Sequence, residues 1–126
     1  GAKRAMLLPV SAPFHCSLMQ PAADVMAEAL AKVSVNSPTV PLVANVLAKA
    51  IRTPDEIVRG LVQQVTGTVR WRESVLYMAD AGVTNFYEVG AGKVLSGLIK
   101  RLAGHATVSA VGSPEDVAAF KAGRNA

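Results

Sequence analysis

NFYEVGAGKVLSGLIKRLAGHATVSAV, residues 85–111, is the stretch from which the fold is read. Asn85–Val89 reads as a short strand, Gly90–Gly92 as a tight turn, and Lys93–Leu102 as a helix. Thr107–Val111 follows as a last strand. Beyond it, Ser113-Pro114-Glu115-Asp116 caps a terminal helix. Upstream, a helix from about Val69 to Ala81 places Trp71, Val75, Met78 and Ala79 on one side and ends at Gly82. Gly67 separates it from an earlier helix, opened by the capping box Thr53-Pro54-Asp55-Glu56. The inner face of that helix is Ile57, Leu61 and Val65, or Val58, Val62 and Val65.

Further back, the turn signal Asn36-Ser37-Pro38 precedes the apolar, β-branched run Thr39–Val46. Leu18, Ala22, Met26, Ala29, Leu30 and Val33 recur at helical spacing and place a helix from about Pro21 to Val33, with Pro21 in its first turn. Arg4–Val10 is expected as a strand. Strands and helices alternate, so the chain is expected to be α/β with a largely parallel sheet.

The 126 residues correspond to one domain or a piece of one. A hydrophobic share of 51% supports a real core. No apolar stretch reaches the roughly 18 residues that span a bilayer. The chain begins at Gly1-Ala2-Lys3-Arg4 without methionine and reads as a start in mid-domain, hence a fragment. It opens with no export leader, and its one cysteine suits a reducing compartment, so a cytoplasmic location is expected. The net charge of +4 comes from thirteen Lys and Arg spread along the chain, with only 5% aromatics. A nucleic-acid binder would gather its charge and interleave stacking rings, so that class is set aside. A phosphorylated ligand or an acidic carrier protein suits the charge.

Two histidines are present. His105, in Ala103-Gly104-His105-Ala106, reads as a surface residue. His15 closes LLPVSAPFHC, residues 7–16, an apolar run leading into a proline-punctuated loop. Such loops display catalytic side chains, and histidine suits proton transfer near neutral pH. A nucleophile is harder to find. Cys16 adjoins His15, but neighbours on an extended segment point to opposite sides. Ser11 lies outside any G-x-S-x-G elbow.

Gly90-Ala91-Gly92-Lys93 fits neither a Walker loop nor the dinucleotide fingerprint, since Val94 and Leu95 stand where Ser/Thr and a third glycine belong. The N–H groups at that helix start could hold an anion, but the simpler reading is a tight strand–helix turn. No metal-ligand spacing is present, and Met6, Met19, Met26 and Met78 read as core filler.

Three segments in this order and spacing resemble one family, the malonyl-CoA:acyl carrier protein transacylases of fatty-acid synthesis. They are Leu8-Pro9-Val10-Ser11-Ala12-Pro13-Phe14-His15-Cys16, then Leu61–Val65 leading to Val69-Arg70-Trp71, then Tyr87–Leu98. The resemblance implies an α/β-hydrolase-like acyltransferase large subdomain over residues 12–126. It implies that residues 1–11 form the last strand of a ferredoxin-like small subdomain. His15 matches the family's catalytic histidine, and Gln64 the glutamine whose backbone carbonyl orients it. Asn45 matches a polar residue near the same pocket. Phe14, just before the histidine, is the residue that in related polyketide acyltransferases accompanies malonyl rather than methylmalonyl substrates.

The implied chemistry is ping-pong acyl transfer from malonyl-CoA to the phosphopantetheine thiol of acyl carrier protein, with no further cofactor. The family's G-H-S-x-G serine, its malonate-binding arginine and its oxyanion glutamine have no counterpart in this sequence. They belong to the N-terminal half of the family's enzymes. The fragment alone is therefore expected to be inactive. Ala91 and Thr68 stand where the family often has proline. Lys93 and Arg101 are candidates for meeting an acidic carrier. The rival readings are an acyltransferase domain of a polyketide or multifunctional synthase, and a degenerate carrier-binding module.

Overall fold

The computed structural model describes residues 1, 5–7 and 9–124. Two compact units divide the chain, Gly1–Arg70 and Trp71–Ala126.

In the first unit, a short 3-10 turn at Ser17–Met19 leads into helix α1, Gln20–Leu30, with Pro21 in its first turn. Strands β1 (Leu42–Ala44) and β2 (Lys49–Ile51) pair antiparallel, Leu42 opposite Ile51 and Ala44 opposite Lys49. Helix α2, Pro54–Thr66, follows and packs against α1. Its start is the capping box read from the sequence. The Glu56 N–H donates to the Thr53 hydroxyl at 3.3 Å, and the Glu56 carboxylate accepts from the Thr53 N–H at 3.2 Å. Both faces of α2 are half-buried, so the alternative inner faces each meet protein.

The second unit is a βαβ element with a helix on each side of it in sequence. Helix α3 is Trp71–Asp80, β3 is Asn85–Val89, α4 is Val94–Leu102, β4 is Thr107–Val111 and α5 is Pro114–Arg124. β3 and β4 pair in parallel, Asn85 opposite Thr107 through Val89 opposite Val111, with α4 as the crossover. Side chains alternate across a strand. Phe86 accordingly joins a core of Val75, Ile99 and Ala103, ringed by Trp71, Met78, Ala79 and Leu102. Tyr87 takes the other face and meets Phe120 of α5 edge-on, ring centres 5.1 Å apart. The expected inner face of α3 is the one observed.

Four expectations change. The described residues between 4 and 10 form no strand; Arg4 and Leu8 lie outside the described residues. A strand needs a ladder partner, and Met6, Leu7 and Val10 here stand exposed without one. The run Thr39–Val46 keeps only three residues of strand, because Pro41 removes a donor just before it and the chain turns after Ala44. Its partner is an unforeseen β2, so among the described residues one of the two strand pairs is antiparallel. The loop between them carries no glycine, and Ala48 takes the left-handed φ of 51° that usually advertises such a turn. Met6 and Met26 are exposed rather than core filler.

Candidate functional site

His15 sits on the loop before the 3-10 turn, where the Phe14 N–H donates to the Ala12 carbonyl at 2.9 Å. Its own backbone is left-handed, φ 58°, a costly conformation for a residue with a β-carbon. Cys16 returns to extended geometry. This kink separates the two side chains. The Cys16 thiol donates to the Pro13 carbonyl at 3.1 Å, and the His15 ring faces α2.

There, His15 Nδ1 lies 2.8 Å from the main-chain oxygen of Gln64. A carbonyl only accepts, so Nδ1 carries the hydrogen, and in the neutral ring Nε2 keeps the lone pair. The end of α2 makes this oxygen available. In an unbroken helix it would take the N–H four residues on, at Thr68. The helix stops at Thr66, and Gly67 swings to an extended conformation at φ −88°, ψ 153°. Gln64 therefore offers one of the carbonyls that a helix C-terminus leaves without an intrahelical donor. A histidine is suited to that place, since the helix dipole puts partial negative charge there.

Gln64 also helps line a cleft of about 210 Å³ with Leu42, Asn45, Ile57 and Leu61. The structure thus relates three of the four candidate site residues: His15 bonds to Gln64, and Gln64 and Asn45 line the same cleft. Phe14 is 58% exposed and is not part of that wall. Ser11 and His105 are exposed as well.

The Gly90–Lys93 turn is not an open anion cradle. The N–H groups of Leu95 and Ser96 donate to the Glu88 carboxylate at 3.0 and 2.7 Å, and the Ser96 hydroxyl does so at 2.6 Å. Those bonds, the hydroxyl's foremost, hold the Glu88 carboxyl below its ordinary range. The protein's own anion occupies the helix start. Gly90 and Gly92 have φ of 137° and 90°, which explains their presence as turn residues. Among the described residues, no group of three or more His, Cys, Asp or Glu could hold a metal, and no helix is long and apolar enough to cross a membrane.

The sequence matches no protein-family model. It is 53% identical over 119 residues, 94% of the chain, to the malonyl CoA-acyl carrier protein transacylase of Escherichia coli strain K12. The chain is a homologue of the malonyl CoA-acyl carrier protein transacylases. It spans about 38% of the length of that relative. The transacylase of Haemophilus influenzae is 47% identical over 122 residues, 97% of this chain and 38% of its own. The crystal structure of the acyl-carrier-protein-S-malonyltransferase from Bartonella henselae superposes with a TM-score of 0.88 at 48% identity. That match covers all of this chain and 40% of the other. The α/β architecture is therefore shared with solved malonyltransferases.

Proposed function

We propose that this chain is the His-bearing part of an enzyme that moves a malonyl group from coenzyme A to the phosphopantetheine thiol of acyl carrier protein, in fatty-acid biosynthesis. The observation that carries the reading is the 2.8 Å contact of His15 Nδ1 with the Gln64 carbonyl, in a chain this similar to malonyl transacylases. The contact holds the imidazole in one tautomer and one orientation, which is what a general base requires.

In the first half-reaction a serine hydroxyl attacks the malonyl thioester carbonyl and His15 Nε2 takes its proton. The tetrahedral intermediate collapses, the C–S bond breaks, and the imidazolium returns the proton to the departing thiolate. In the second half, Nε2 accepts the proton of the carrier thiol, whose sulfur attacks the acyl ester. The C–O bond breaks and the serine recovers its proton. We place that serine, with the arginine that would pair the malonate carboxylate, in the N-terminal half of the same enzyme. The chain alone is then inactive. Asn45 lines the acyl-binding cleft in this reading, and Phe14, outside that wall, bears on acyl choice only through its place just before His15. Residues 1–11 belong to the small ferredoxin-like subdomain and 12–126 to the hydrolase-like one. No cofactor enters the cycle, and the enzyme works in the cytoplasm.

The test is peptide-resolved mass spectrometry on the complete gene product after exposure to malonyl-CoA. Acyl label on a serine outside this chain is the expected result. Label on Cys16 or Ser11 overturns the assignment, and a folded protein with no label favours a degenerate carrier-binding module.

A further inference from the structure

The turn that joins β1 to β2 is held from outside as well as from within. Internally, the N–H groups of Leu47 and Ala48 both donate to the Ala44 carbonyl, at 3.0 and 2.7 Å. That leaves Ala48 in its left-handed conformation, which an alanine adopts only when its surroundings compel it. Externally, the segment after α2 folds over the turn at two points. At Gly67, a β-carbon would sit only 2.6 Å from Val46 Cγ2, so the turn packs directly on the helix end. Three residues later, the Arg70 N–H donates to the Asn45 carbonyl at 3.0 Å, and the Arg70 guanidinium Nη1 donates to the Leu47 carbonyl at 3.2 Å.

The consequence reaches the cleft. Asn45 and Gln64 both line it, one from the turn and one from α2, and Gln64 is the residue that anchors His15. We infer that Arg70 is a positioning residue for the acyl site: its hold on the Asn45 and Leu47 carbonyls sets the Asn45 wall of the cleft against the helix that carries Gln64. Arg70 acts through the turn and has no role in the proton transfers. The inference rests on the proposed malonyl transfer for its kinetic reading, while the clasp on the turn is measurable without it.

Side-chain variants remove what the guanidinium contributes, its bond to Leu47 included, and leave the main-chain bond to Asn45 in place. In the complete enzyme, Arg70→Ala is expected to raise KM for malonyl-CoA about tenfold, the scale of one lost charge-assisted hydrogen bond, with kcat within about twofold. Arg70→Lys, which keeps a donor, restores most of the loss. If Arg70 works through Asn45, then on an Asn45→Ala background the Arg70→Ala change adds little to KM. Hydrogen exchange reads the clasp directly: the Leu47 and Ala48 amides exchange about tenfold faster in Arg70→Ala, while β3 and β4 keep their protection. An unchanged KM, a fall in kcat at constant KM, or additivity with Asn45→Ala overturns the inference. Unchanged turn exchange overturns it too, even if the wild-type enzyme transfers no malonyl group and the functional reading itself has failed. Should Arg70→Ala not fold, Arg70→Gln and Arg70→Lys carry the same comparison.

Discussion

His15 and the Gln64 carbonyl meet across 49 positions of sequence, at 2.8 Å, because α2 ends two residues after Gln64 and leaves its oxygen without a helical donor. The partner is main chain, so replacing the Gln64 side chain does not remove it. In the complete enzyme, His15→Ala is expected to lower kcat for malonyl transfer by about 10³-fold or more. Gln64→Ala should cost less than about tenfold. Steady-state kinetics on both variants checks this; a Gln64→Ala loss as deep as that of His15→Ala places the function in the side chain instead.

Gly67 is where the helix end, the hairpin turn and the histidine's acceptor come together. A methyl there meets Val46 Cγ2 at 2.6 Å and the Gln63 carbonyl at 2.9 Å. The φ of −88° is open to any residue, so the penalty is steric. Gly67→Ala is expected to destabilise the protein by about 1–3 kcal/mol in urea unfolding, the range for overpacking a tight contact. It should also lower kcat, since the same displacement moves the Gln64 carbonyl.

The helix starts make the fold acid-sensitive. Hydrogen bonds lower the carboxyl of Glu56, led by the Thr53 hydroxyl, and of Glu88, led by the Ser96 hydroxyl. The Gly112 N–H, at 3.0 Å, leads for Asp116. A carboxylate depressed in the folded state contributes stability that is fully present above its unfolded value. For the two glutamates that value is near 4.5, and the contribution is lost as pH falls through the depressed folded value. Urea midpoints measured at successive pH values should therefore drop below pH 4.5. Glu88→Gln should show a lower midpoint at neutral pH and a shallower acid limb.

Val75 is fully buried at the centre of the second unit, against Phe86 and Ile99. Val75→Ala leaves a cavity beneath β3 and is expected to cost about 2 kcal/mol. A urea midpoint within error of wild type would mean that the core closes over the gap.

Much of this molecule is written locally. The Thr53–Glu56 box, the glycines at 90 and 92, and the apolar spacing of Trp71, Val75, Met78 and Ala79 each act over a few residues. Helix α2, the α3 face and the β3–α4–β4 succession were legible for that reason, with β3 and β4 at the expected bounds. The pairing of His15 with the Gln64 carbonyl, now seen at 2.8 Å, came from family resemblance rather than from local pattern. The hairpin was not. Its turn depends on Ala48 in a conformation that the alanine itself disfavours and that the ladder from Leu42 to Ile51 enforces.

The expected strand over residues 4–10 is not seen among its described residues for the opposite reason, since apolar residues propose a strand and only a neighbouring edge makes one. Arg70 was legible only as part of the Val69-Arg70-Trp71 segment and its contact was not, because a basic residue in a connecting segment looks the same whether its side chain meets solvent or a carbonyl. Short-range hydrogen bonding and side-chain periodicity are properties of adjacent residues, so element type and order follow from the chain's own text. The proximity of His15, Gln64, Asn45 and Arg70 arises only when α2 and the hairpin turn pack together, because that packing brings distant carbonyls and donors within 3.2 Å of one another.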